Sequence, residues 1–148
     1  MRALIQRVSY ARVLVNDEIV GEIARGILLF LAIQKGDSAA QIDKLLNKVL
    51  AYRVFPDAVG HMNLALSDIS GSLLVVSQFT LAADTRKGLR PSFSSATPPV
   101  DAELMYDDFV DRARQRCEHV ATGQFGADMK VQLENDGPVT FLLEVNDP

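Results

Sequence analysis

Apolar and polar positions along this chain fall into short strand-like runs, interrupted twice by helical spacing. Arg2 to Val8 reads as a strand. Ala11 to Val15 and Glu18 to Ala24 flank Asn16-Asp17, a hairpin turn signal. Gly26 to Ile33 is continuously apolar and β-compatible, the pattern of a strand buried on both faces. A first helix is expected from Ser38, which stands to Gln41 at capping-box spacing. Ile42, Leu45, Leu46, Val49 and Leu50 then recur on one helical stripe, and Pro56 bars continuation.

The second half repeats the alternation. Asn63 to Ser70 is polar and mixed, and Ser72 to Phe79 is an aliphatic strand of central type. Ala82 to Pro99 holds Pro91, Pro98, Pro99 and Gly88 among hydroxyl residues, and reads as a long loop or lid. A second helix is expected near Asp101, with Ala102, Met105, Phe109, Ala113, Cys117 and Val120 on one face. Two strands, Met129 to Leu133 and Val139 to Val145, follow, joined by Asn135-Asp136-Gly137-Pro138. The order β-β-β-β-α-β-α-β-β predicts an α/β single domain in which two main helices cover a curved mixed sheet.

Length and composition narrow the class. A chain of 148 residues favours one core. Its apolar content is that of a globular protein, and its longest apolar run is far too short to cross a bilayer. Met1-Arg2-Ala3 leads directly into strand pattern without an apolar signal region, so a cytoplasmic protein is expected. Cys117 is the single cysteine, which excludes an internal disulfide and reads as a small buried hydrophobe on a helix. The net charge of −4 argues against a protein that coats DNA or RNA, but not against an enzyme that grips one end of an RNA.

Conventional catalytic motifs are missing. His61 and His119 stand at no metal-ligand spacing, so no metal is expected. There is no G-x-S-x-G elbow and no glycine-rich phosphate loop, so neither a serine triad nor a nucleotide cofactor has support. Three features remain, each open to a bland reading. Ser77-Gln78-Phe79-Thr80 closes an apolar strand with hydrogen-bonding side chains, either as a site or as a solvated strand end. Asn135-Asp136-Gly137-Pro138 is either a plain hairpin or a specified turn, with a Gly-Pro bond open to the cis form. Arg86, Lys87 and Arg90 are either a solvated loop or a grip on phosphate.

The same segments resemble the D-aminoacyl-tRNA deacylases. The likeness lies in Ser77-Gln78-Phe79-Thr80-Leu81-Ala82-Ala83-Asp84-Thr85, Gly88-Leu89-Arg90-Pro91-Ser92-Phe93, Phe125-Gly126-Ala127-Asp128-Met129 and Asn135-Asp136-Gly137-Pro138-Val139-Thr140-Phe141. Ala3 to Val8, Tyr52 to Phe55 and Met62 to Leu64 share it. It runs from Met1 to Val145 and leaves only Asn146-Asp147-Pro148 unplaced.

The resemblance implies a β-barrel-like fold and a homodimer whose site lies at the subunit interface. It implies a cofactor-free hydrolase acting on the 3′ end of aminoacyl-tRNA, with no membrane or DNA partner. Ser77, Gln78, Phe79 and Thr80 become the expected catalytic strand end. Gly137, Pro138, Phe79, Met129 and Arg7 become the expected substrate-binding residues, with Gly137-Pro138 as a cis-proline wall that rejects L-amino acids. Glycine, lacking a side chain, is expected to enter too, as in glycyl-tRNA mischarged on tRNA-Ala. Thr80 is expected to position rather than attack, because no general base is visible beside it. Two rivals stand against this reading: an esterase or amidase for small D-amino acid derivatives, and a dimeric RNA-binding module.

Overall fold

The computed structural model describes residues 1–146, so Asp147 and Pro148 of the unplaced tail lie outside the described residues. Strand β1 spans Arg2–Val15, β2 Glu18–Ile23 and β3 Gly26–Ala32. Helix α1 (Ala39–Ala51) is followed by the short strands β4 (Phe55–Pro56) and β5 (Met62–Leu64), then by β6 (Ser72–Ser77). Helix α2 (Pro99–Arg116), β7 (Val120–Thr122) and β8 (Lys130–Glu144) complete the chain, with 3₁₀ turns at Ser67–Ile69 and Phe79–Ala82.

The main sheet runs β2-β1-β3-β6-β7, with β8 added on β1. β1 is antiparallel to β2, β3 and β8, whereas β3–β6 and β6–β7 are parallel. Parallel neighbours need crossovers, and α1 and α2 supply them. The Asn16-Asp17 hairpin forms with both residues at positive φ, 51° and 64°, which suits the twist of a two-residue loop. The ends of the sheet path come together at Gly21, where an added Cβ would lie 2.0 Å from the Thr122 carbonyl oxygen. This approach of β2 to β7 nearly closes the sheet into a barrel.

Burial on both sides of β3 and β6 organises two cores. Ile27, Leu29, Leu31, Leu73 and Val75 face the helices and meet Leu45, Leu46, Phe109 and Val110. Leu28, Leu74 and Val76 face the barrel interior and meet Val8, Ala11, Val13 and Ile23. The α1 capping box is present, with Gln41 Oε1 accepting from the Ser38 N–H at 2.7 Å.

The structure corrects four boundaries. Arg2 to Val8 and Ala11 to Val15 are one strand, because β8 pairs along both. Met129 to Leu133 and Val139 to Val145 are also one strand, and Asn135-Asp136-Gly137-Pro138 is an outpocketing within it rather than a hairpin. Helix α2 begins at Pro99, whose missing N–H costs nothing in a first turn, and ends at Arg116. Cys117 caps that helix and Val120 belongs to β7, so neither continues the predicted face; Tyr106 and Val110 are buried instead.

Gly21→Ala should destabilise the fold by about 1–3 kcal/mol, the usual range for overpacking, because a backbone carbonyl rather than a side-chain tip opposes the new methyl. Urea unfolding of the two proteins checks this, and an unchanged midpoint would show that β2 and β7 are not held at this distance.

Candidate active site

The parallel strands β3 and β6 end side by side, with their carboxyl ends at one edge of the sheet. Gln78 continues the ladder, its N–H donating to the Leu31 carbonyl at 2.8 Å, before the chain winds into the 3₁₀ turn at Phe79–Ala82. A cavity of about 750 Å³ opens at this point. Leu31, Val76 and Ser77 form part of its wall, and Phe125 and Met129 face it from the segment before β8. Phe79 and Phe93 stand at 5.2 Å between ring centroids, tilted, and Phe79 remains 62% exposed. A large aromatic left this open beside an apolar cavity offers a stacking surface.

Tyr106 fixes α2 to the strand that carries the site. Its hydroxyl donates to the Val75 carbonyl at 2.7 Å, and burial pushes its acidity well below that of a free phenol. The ring also lies 5.8 Å from Phe125. Met129 Sδ accepts from the Gln124 N–H at 3.4 Å and so draws the segment before β8 together.

Thr80 is exposed, and its hydroxyl oxygen accepts a hydrogen bond from Gln78 Nε2. An acceptor bond of this kind withdraws a lone pair and does not deprotonate the hydroxyl, so it does not create a nucleophile. Neither histidine assists. The His119 carbonyl accepts from the Leu73 N–H at the opposite end of β6 from Ser77, and the His61 N–H is bound to Asp57 in the β4–β5 loop. Burial raises the Cys117 thiol, which makes it a poor nucleophile. Among the described residues no group of three or more His, Cys, Asp or Glu side chains is placed to hold a metal.

Gly137, Pro138 and Arg7 form a second group. Gln6 pairs with Thr140 and Val8 with Asn135, so four residues of β8 stand opposite Arg7 alone. The excess is extruded as a turn. Arg7 Nε donates to the Asp136 carbonyl at 2.9 Å, and Nη1 donates to the Val54 carbonyl at 2.7 Å. From the other side Asn135 Oδ1 accepts from the Val139 N–H at 3.0 Å. Gly137 has φ 148°, and an added Cβ would meet Val139 Cγ2 at 2.6 Å and the Val139 nitrogen at 2.8 Å. The Gly137–Pro138 peptide is cis, and both residues are exposed.

The structure therefore brings Ser77, Gln78, Phe79 and Met129 to one cavity, sets Thr80 beside it, and leaves Arg7, Gly137 and Pro138 off its wall. The loop after Thr80 is not a free lid. Asp84 and Ser92 exchange backbone hydrogen bonds at 2.8 and 3.0 Å, and Lys35 N–H donates to the Ser95 carbonyl at 3.0 Å. Arg86 forks onto Asp84 at 2.9 and 2.7 Å, and these hydrogen bonds hold the Asp84 carboxyl far below its usual range. Sequence patterns assigned no role to Phe93, Phe125 or Tyr106 in the cavity. The first two lie within motifs quoted above, but Tyr106 sits one residue from the predicted helix face and gave no signal.

A family model described as D-Tyr-tRNA(Tyr) deacylase matches residues 4–144. A D-aminoacyl-tRNA deacylase of Cellvibrio japonicus is 60% identical over 146 residues, 99% of this chain and 100% of that one. The Stutzerimonas stutzeri protein of the same name is 60% identical over 144 residues, 97% of this chain and 99% of its own. Among solved structures, one titled c-Myc DNA Unwinding Element Binding Protein superposes with TM-score 0.95 at 39% identity, covering 99% of this chain and 100% of that one. A probable eukaryotic D-amino acid tRNA deacylase shares the fold with TM-score 0.84 at 20% identity, covering 97% and 98%.

Arg7→Lys should loosen the 136–139 turn, because one ammonium cannot reach both carbonyls that the guanidinium fork spans. The expected cost is about 1.5–3 kcal/mol for a charged donor, with faster hydrogen exchange at the Val139 amide. Unchanged protection there would show that Asn135 alone holds the turn.

Proposed function

Because this chain belongs to the D-Tyr-tRNA(Tyr) deacylase family, we propose that it hydrolyses the ester joining a D-amino acid to the 3′ end of tRNA, with residues 1–148 acting as one deacylase unit in the cytoplasm. The observation that carries this reading is the apolar cavity at the joint end of β3 and β6, with an exposed aromatic at its edge. An unpaired terminal base is held by stacking and apolar enclosure, and Phe79 and Met129 supply these. The amino acid ester then lies along Ser77-Gln78-Phe79-Thr80. The N–H groups of Phe79 and Thr80 open a 3₁₀ turn and have no acceptor within it, so they are available to a developing oxyanion.

The handedness filter is assigned to Gly137 and Pro138. These residues do not line their own chain's cavity, and they are exposed on a turn held by Arg7 and Asn135. Both parts serve one site only when a second copy brings its turn to the first copy's cavity, so the working unit is a homodimer. A backbone wall beside the Cα admits hydrogen and excludes a side chain, which passes D-residues and glycine and turns away L-residues. This is exclusion by clash.

Water is the nucleophile, activated by the neighbouring ribose hydroxyl, and Thr80 positions. A second reading, nucleic-acid binding without hydrolysis, is raised by the name of one structural relative. The net charge of −4 weighs against coating a duplex.

Incubation with D-tyrosyl-tRNA, L-tyrosyl-tRNA, glycyl-tRNA and a free D-tyrosyl ester should give rapid loss of the first, loss of the third, and little turnover of the others. Equal loss of the D and L forms would end the handedness filter. Equal efficiency on the free ester would end the tRNA requirement, and complete inactivity would favour the binding reading. Thr80→Ala should keep substantial deacylation; near-total loss in a folded protein, with a trapped acyl-enzyme in the wild type, would make Thr80 the nucleophile.

A further inference from the structure

The loop from Ala83 to Pro98 is a pinned tongue with a bare tip. Its root is closed by the Asp84–Ser92 backbone pair, and its far side is tied where Ser95 Oγ donates to the Ala82 carbonyl at 2.7 Å. From Thr85 to Val100 the chain carries three cations and no acid. The structure separates these cations. Arg86 spends its charge on Asp84, with Nη2 at 2.7 Å from Oδ2. Lys87 and Arg90 are exposed and have no ion-pair partner among the described residues. Leu89, between them, is wholly exposed, so its side chain is not packed against the described residues.

The tip is also placed by what anchors it. Phe93 lines the cavity and meets Phe79, and Arg90 lies three residues before it. Three residues of chain reach at most about 11 Å, so Arg90 stands within that distance of the cavity wall. Arg90 near the wall, Lys87 at the tip and Lys35 on the wall itself, none with an ion-pair partner among the described residues, form a local reversal of sign on a protein of net charge −4.

Resting on the reading of the substrate as aminoacyl-tRNA, we propose that Lys87 and Arg90 bind phosphates of the strand that leads to the terminal nucleotide, while Arg86 does not. Arg86 serves instead to hold the tongue in shape through Asp84. The site therefore reads the terminal nucleoside through the cavity and the polynucleotide through the tip. The two contacts are sequence-independent, as phosphate contacts are. They account for recognition of an RNA end by a protein of net charge −4.

The test compares wild type with the Lys87→Gln, Arg90→Gln double variant, in kcat and KM, on D-tyrosyl-tRNA and on D-tyrosyl-adenosine. With about 0.7–0.9 of slope per phosphate contact, the double variant should lose about 1–2 from the dependence of log KM on log salt across roughly 50–200 mM KCl. On the tRNA its KM should rise several-fold at low salt with kcat held. On D-tyrosyl-adenosine, which has no phosphate, the two proteins should agree. Both substitutions are on the surface, and thermal melts confirm that the fold is kept. An unchanged KM and salt slope, in a wild type that deacylates D-tyrosyl-tRNA, overturns the phosphate contacts and leaves the deacylase reading standing. A wild type inert on D-tyrosyl-tRNA overturns the deacylase reading itself. An equal KM rise on D-tyrosyl-adenosine overturns the proposal by making the tip part of the cavity. So does a matching KM rise in Leu89→Ser with the salt slope intact, which would mark the tip as an apolar contact with another protein.

Discussion

Between the Gln6–Thr140 and Val8–Asn135 pairs, four residues of β8 must be accommodated against the single residue Arg7 of β1. The surplus cannot enter the ladder, so it leaves the sheet as a turn, and the residue opposite becomes its anchor. Arg7 suits this position because its planar fork donates in two directions, to Asp136 on the turn and to Val54 on the strand connection beyond. Glycine at 137 is required by the same constraint. Its φ lies where side chains are strained, and the added carbon would strike the backbone nitrogen of Val139. A mismatch in register thus becomes a defined projection. β1 can carry it without losing the fold, because β2 and β3 hold its other edge along nearly its whole length.

The cavity has a separate origin in the topology. Parallel pairing of β3 with β6 is possible only with a crossover, and α1 and α2 lie over the face so created. Both strands are then buried on two sides, and their aliphatic run ends where the helices no longer cover them. Ser77 and Gln78 are the first polar residues past that limit, so they meet the cavity as a consequence of where the core stops. Tyr106 secures the boundary by bonding α2 to β6 at Val75, two residues before Ser77.

What the sequence made legible follows from this division. The continuous apolar runs of β3 and β6, and the stripe of α1, were readable because burial on a fixed period leaves a periodic pattern. The union of Arg2 to Val8 with Ala11 to Val15, and of the two halves of β8, was not. Each depends on a partner more than a hundred residues away, and Asn135-Asp136-Gly137-Pro138 within β8 carries ordinary turn chemistry. β7 escaped notice because three half-buried residues produce no periodicity. The segments of the candidate site were visible in outline, yet residue chemistry alone left each of them open to a bland reading. Separation of Gly137-Pro138 from the Ser77-Gln78-Phe79-Thr80 cavity is not readable from residue chemistry, since distance in the fold is absent from a motif; only the resemblance, with its site at a subunit interface, implies it. The basic cluster shows the same limit in reverse. Three cations looked equivalent in the chain, and only the Asp84–Arg86 fork distinguishes one from the others.

Charge economy links these features. A protein that grips a duplex along its length needs many cations and carries a steep salt dependence, and this chain, at net charge −4, lacks that surplus. An enzyme that acts on one end of a strand needs much less. Apolar enclosure and stacking hold a terminal base without charge, and a polar strand end holds the ester. On the proposed reading, Lys87 and Arg90 of the tongue add attraction where a strand would enter. On the same reading the acidic remainder disfavours polynucleotide bound away from that cavity. An acidic balance that disfavours coating a nucleic acid is, on the proposed reading, compatible with recognising its terminus alone.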